Sequence, residues 1–156
     1  MTLPLDPAGP AKPLLYSPFD ERNANVSPDG RWIAYTSNEM GGVTNVFVRP
    51  FPAVDTGKWQ VTTTGGSTPL WSKNGRELIC ALSQPGGPSA MAAFPIPVIP
   101  AGASFIYGKP EVFFSFAPYF GSFGRTYDIS RDGQRFLMLK TGTTSALHPS
   151  ITVVSH

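Results

Sequence analysis

Few side chains in this sequence could act as nucleophile, general base or metal ligand, and they are widely spaced. The 156 residues include two histidines and one cysteine. His148 and His156 stand near the C-terminus with no carboxylate after Asp132, so neither falls into a triad order or a metal-ligand spacing. His148 reads as a loop residue. Cys80 alone excludes an intramolecular disulfide and a cysteine-based zinc site, and reads as a buried core thiol. Gly121-Ser122-Phe123-Gly124 lacks the Gly-x-Ser-x-Gly spacing of a hydrolase elbow, so Ser122 reads as a loop residue. Asp20, Glu21 and Asp128 could converge only if two subunits brought them together across an axis. No catalytic, metal-binding or cofactor-binding residue is therefore assigned.

The elements that carry these residues follow from composition and repeats. The chain is 41% hydrophobic and 14% charged, with 17 Pro and 16 Gly, a profile that suits many short strands joined by turns. One domain, 1–156, is expected. Twelve basic and ten acidic residues give a net charge of +2 without a Lys/Arg block, which argues against nucleic acid as a partner. No stretch approaches about 18 uninterrupted apolar residues, so membrane insertion is not expected. Met1-Thr2-Leu3-Pro4-Leu5-Asp6-Pro7 has neither a basic leader nor a signal-length apolar run. A soluble chain is expected, of undecided compartment: extracytoplasmic if excised from an exported or anchored protein, cytoplasmic otherwise.

One phrase occurs three times: Val26-Ser27-Pro28-Asp29-Gly30-Arg31-Trp32-Ile33, Trp71-Ser72-Lys73-Asn74-Gly75-Arg76-Glu77-Leu78 and Ile129-Ser130-Arg131-Asp132-Gly133-Gln134-Arg135-Phe136. Its serines are spaced by 45 and 58 residues, and the first spacing matches a four-stranded propeller blade. The excess in the second is assigned to loops at Gln84–Pro88 and Pro97–Ser104, rich in Pro, Gly and small residues. The phrase reads as a hairpin with a type I turn followed by a left-handed glycine, a G1 bulge. A β-branched residue at Gly30, Gly75 or Gly133 should damage it. Asp29 and Asp132 read as turn residues accepting local hydrogen bonds, since Asn74 occupies the same place in the second copy.

Flanking strands are predicted at Asn23–Ser27, Trp32–Ser37, Asn45–Pro50 and Trp59–Thr63. The second unit has Pro69–Ser72, Glu77–Leu82, Ala90–Ile96 and Glu111–Phe116. The third has Thr126–Ser130, Arg135–Lys140 and Ser150–Val154. This gives units at 23–63, 68–116 and 125–154. The last unit lacks a fourth strand, which Pro13–Ser17 could supply, removing an unpaired edge.

These repeats, most clearly Thr68 to Leu78 and Asn25 to Tyr35, resemble the blades of TolB-type β-propellers. Val46-Phe47-Val48-Arg49-Pro50-Phe51-Pro52, Lys58-Trp59-Gln60-Val61-Thr62 and Tyr127 to Gly133 are similar to the C-terminal propeller region of bacterial receptor-type serine/threonine kinases. No kinase motif accompanies them. The resemblance implies an all-β fold of three four-stranded blades, half of a six-bladed ring. A homodimer would complete the ring through an interface of the large obligate class, above roughly 2,000 Å²; the competing completion is further sequence.

The aromatic residues Trp32, Phe47, Trp71, Phe113 and Phe136 are expected to pack between blades. The connector Ala117–Arg125 should lie at the mouth of the channel. Tyr119, Phe120 and Arg125, joined there by Arg22, Asn23 and Ser67 from the equivalent connectors, are the candidate binding residues, since Tyr and Arg are favoured anchors. The function expected is a non-catalytic scaffold or sensory module that binds a protein, a peptide or a small polar ligand. A propeller hydrolase or lyase with a site assembled across a dimer is the second reading, and a purely structural fragment the third.

Overall fold

In a computed structural model of the chain, residues 12–83, 86, 89–97, 99–100, 102–116, 124–140 and 150–155 are described. They form eleven strands. The first four are β1 (Glu21–Val26), β2 (Trp32–Ser37), β3 (Asn45–Pro50) and β4 (Trp59–Gln60); β5 (Gly66–Trp71), β6 (Glu77–Leu82), β7 (Ser89–Pro95) and β8 (Glu111–Phe116) follow; the last are β9 (Tyr127–Ile129), β10 (Arg135–Lys140) and β11 (Ser150–Ser155). Each pairs antiparallel with its sequence neighbours in three sheets, β1-β2-β3-β4, β5-β6-β7-β8 and β11-β10-β9. The chain is all-β. Pro13–Ser17 contributes no strand to these sheets, and only Lys12 makes an isolated bridge.

The thrice-repeated phrase builds the same hairpin each time. Gly30, Gly75 and Gly133 take φ of 70°, 68° and 74°, the left-handed region that closes a G1 bulge. Their amides donate to the carbonyls of Ser27, Ser72 and Ser130 at 2.9, 2.9 and 3.0 Å. Each serine hydroxyl also donates to the turn Asp or Asn and accepts an amide across the turn, from Trp32, Glu77 or Arg135. The turn carboxylate or carboxamide accepts one further amide, from Arg31, Arg76 or Gln134.

In the third turn, hydrogen bonds from Ser130 and the Gln134 amide hold the Asp132 carboxyl below its usual range. A carboxyl whose pKa is lower folded than unfolded adds stability above its unfolded pKa, and that increment is lost as pH falls through the folded value. Asp132→Asn keeps the acceptor, as Asn74 does in the second turn. We therefore expect the urea midpoint of the variant to fall less between pH 7 and 3 than that of the wild type. Parallel declines would show that the turn does not depend on this charge.

Packing follows the two-residue period of the strands. Residues of β2 and β3 on one face (Trp32, Ala34, Val46, Val48) meet Trp71, Leu78, Cys80 and Phe94 of the second sheet. The opposite face of the second sheet (Leu70, Ile79, Ala81, Met91, Ala93) meets Tyr127, Ile129, Phe136 and Met138 of the third. The second sheet is thus covered on both sides. Cys80 is fully buried, and burial pushes its thiol up to about 12.

The expected loop at Pro97–Ser104 belongs to a longer stretch folded back onto the first sheet. Arg31 donates to the carbonyls of Ile99 and Pro100 at 2.7 and 2.9 Å. Phe105 lies with its ring centroid 5.1, 5.9 and 6.1 Å from those of Trp32, Trp59 and Trp71. The Tyr107 hydroxyl donates to the Gln60 carbonyl at 2.7 Å.

Two expectations are corrected. Strand β4 ends at Gln60 rather than Thr63, because the Val46 amide turns to the Thr62 hydroxyl, 2.9 Å away, instead of a ladder carbonyl. Phe47 does not lie between sheets: Val46 and Val48 point at the second sheet, so Phe47 points away, stacked on Tyr35 at 5.9 Å. On that outer face Ile33, Tyr35 and Phe47 are buried, whereas Leu137 on the outer face of the third sheet is 46% exposed. The two ends of the stack therefore differ.

Candidate functional site

The connectors entering β1 and β5 share a local geometry. Both strands carry an irregularity four residues before the turn serine, at Asn23 and Thr68, whose φ angles are 54° and 52°. Asparagine tolerates this region; a β-branched threonine is an outlier there. Neighbouring sheets hold the backbone of Thr68 on both sides. Its amide donates to the Thr36 hydroxyl of the first sheet at 3.2 Å, and its carbonyl accepts from the buried Tyr127 hydroxyl of the third. Burial pushes the Tyr127 phenol well above its ordinary pKa, so it stays a donor.

The connector between the first two sheets is pinned by the buried Asn45. Its Oδ1 accepts from the Thr62 hydroxyl at 3.1 Å and the Gly65 amide at 3.2 Å, and its Nδ2 donates to the Val43 carbonyl. A Cβ on Gly66 would meet the Thr62 side chain at 2.7 Å, so only glycine fits this close approach. No signal in the sequence singled out Asn45, Thr68 or Tyr127.

Arg22, Ser67 and Arg125 each stand five residues before a turn serine, one per repeat. The structure gives Arg22 and Ser67 equivalent ladder positions, opposite Thr36 and Ala81. Arg22 donates through Nε to Asp20 Oδ1 at 2.6 Å, and the Asp20 carboxylate raises the pKa of the guanidinium further. Arg125 lies over the Tyr127 ring at 6.0 Å, donates to the Tyr127 carbonyl at 2.9 Å and stands 3.8 Å from Asp128. Both arginines are thus oriented by neighbours in their own sheets. Tyr119, Phe120, Ser122, His148 and His156 lie outside the described residues.

The acids that a hydrolase or lyase site would need have local partners instead. Asp20 is paired with Arg22, Glu21 accepts from the Ser17 hydroxyl at 3.0 Å, and Asp128 accepts from the Ile129 amide at 2.9 Å. Among the described residues no three His, Cys, Asp or Glu side chains gather as a metal-binding group. Among them, too, no helix is long and apolar enough to cross a membrane.

No protein-family model matches the chain, and no curated protein matches it. Among solved structures, the crystal structure of TolB from Acinetobacter baumannii aligns with a TM-score of 0.62 and 15% sequence identity, over 87% of this chain and 29% of that one. The fold is TolB-like. In a TolB-like propeller, four-stranded antiparallel sheets repeat around a central channel, which accounts for face-to-face packing of successive sheets in chain order. At 15% identity the similarity is one of fold, and the chain spans 29% of the length of that TolB chain.

Proposed function

We propose that this chain is a non-catalytic binding or scaffold module of TolB-like propeller type, presenting the loops at the channel mouth to a protein, a peptide or a small polar ligand. The observation that carries this reading is the repeated irregularity at Asn23 and Thr68. A residue held in a sparsely populated backbone region persists where the surroundings over-determine it, and such residues cluster at ligand sites. Arg22 and Ser67 are the residues next to this irregularity in the two inner strands, and Arg125 has the same place in the third repeat.

In this reading the three sheets are three blades, half of a six-bladed ring completed by a second copy or by further sequence. The exposed Leu137 face is where the next blade would pack. Light scattering separates the two completions: a concentration-independent dimer supports the second copy, and a monomer supports further sequence. The segments similar to receptor-kinase propellers fit a sensory role.

The binding site is tested by selecting peptides from a display library on the wild-type protein. Selected peptides should bind at least about tenfold more weakly to a Tyr119→Ala/Phe120→Ala/Arg125→Ala variant with an unchanged melting temperature. Equal affinity for both proteins would remove the assignment.

A further inference from the structure

Among the described residues the third sheet is one strand short of the other two. The first and second sheets each end on a fourth strand, β4 and β8, paired to β3 and β7, whereas the third ends at β11. An open edge of this kind is a template for another strand. Its sequence, Ser150-Ile151-Thr152-Val153-Val154-Ser155, is mostly β-branched and has neither a charge nor a proline, the devices that blunt an exposed edge.

Strand β4 leads into β5 and β8 leads into β9, so each fourth strand closes one sheet just before the chain opens the next. Residues 13–17 stand before β1 in the same way. They carry no charge, include Leu14, Leu15 and Tyr16, and belong to no ladder; Tyr16 is 95% exposed. An uncharged apolar segment outside any ladder matches the uncharged edge of β11. Yet the two do not suit each other within one chain. Ser17 donates to Glu21 at 3.0 Å and the Asp20 amide to Asn38 Oδ1 at 3.0 Å, so the segment is held at the first sheet. The second sheet packs between the first and the third, which puts β11 about two sheet spacings away, on the order of 20 Å. A segment as short as 13–17 spans at most about 18 Å when extended, so the crossing would consume it and leave nothing to pair. In a ring completed by a second copy, the first sheet of each copy follows the third sheet of the other, and the distance is a single spacing.

We propose that two copies of this chain exchange strands: residues 13–17 of each copy pair antiparallel with β11 of the other and complete its third sheet. The exchange rests on the second-copy completion given above, and adds to it the strand that joins the copies.

The test is disulfide trapping in the full chain. Tyr16→Cys is combined with a cysteine at each β11 position in turn, from Ser150→Cys to Ser155→Cys, oxidised with glutathione disulfide and run on a non-reducing gel, with Tyr16→Cys alone as background. Cys80 is buried, with its thiol pushed up to about 12, and stays silent. A disulfide needs Cα atoms within about 7 Å and Cβ atoms that face each other, so linked dimer should form at one position at least about tenfold faster than at the positions on either side. Linked monomer in place of linked dimer overturns the proposal, since it shows closure within one chain. Equal rates at every position, which mark chance collisions, overturn it too, as does the absence of any link above background. In the wild type, the amides of Leu14 to Ser17 should exchange hydrogen at least about tenfold more slowly than in an isolated peptide of the same residues; equal rates also overturn the exchange. Light scattering separates it from the completion on which it rests: a dimer without the position-specific link removes the exchange alone, and a monomer removes both.

Discussion

Phe105→Ala lowers the unfolding free energy by about 3–5 kcal/mol, the range for removing a large buried aromatic from a packed core. Phe105 is 4% exposed, although it belongs to no strand. Its ring touches Trp32 and Trp59 of the first sheet, Trp71 of the second, and Tyr107 of its own stretch. Truncation leaves a cavity lined by rigid indoles, which cannot readily collapse into it. The three tryptophans are all that the sequence contains, so the fluorescence of the variant reports on this contact alone. Urea denaturation followed at the tryptophans should show the loss. A change below about 1 kcal/mol would mean that the stretch is a surface covering rather than part of the core.

The second large effect is at the other contact. Phe136 is 1% exposed and lies 5.6 and 5.5 Å from the rings of Phe113 and Phe114. Phe136→Ala also costs about 3–5 kcal/mol, but it loosens the third sheet from the second, where there is no tryptophan. Repeated units that touch only their neighbours can separate one contact at a time. Circular dichroism should therefore begin to change at lower urea than tryptophan fluorescence in this variant. Coincident transitions would show that the three sheets unfold as one unit.

Much of the fold was legible because two strong local signals agree. The Ser-x-Asp/Asn-Gly turn marks each hairpin, and β-branched and aromatic runs flank it. The ranges predicted for β2, β3, β6, β8 and β10 are those observed. What escaped depends on contacts distant in sequence. Pro and Gly mark Pro97–Ser104 as a loop, but not its anchoring: Arg31, 68 residues from Ile99, holds it by hydrogen bonds to Ile99 and Pro100. Strand β5 starts at Gly66, three residues before the predicted Pro69, because the irregularity at Thr68 interrupts its register without ending the ladder. Nothing in a threonine announces a positive φ; the Thr36 and Tyr127 partners do, and they come from other repeats. Repeat spacing singled out Arg22, Asn23, Ser67 and Arg125 as candidates, whereas nothing in it pointed to the groups that hold the connectors in place.

Thr68 joins three sheets through its amide and its carbonyl, which belong to two successive peptide groups. Thr36 stands opposite Arg22 in the first ladder, and Tyr127 follows Arg125 by two residues in the third. Each arginine is thus linked, through its neighbour, to one of the two peptide planes that meet at the Thr68 Cα. Thr68 is therefore the joint at which a shift of either neighbouring sheet would be taken up, at a residue whose φ of 52° leaves little room for it.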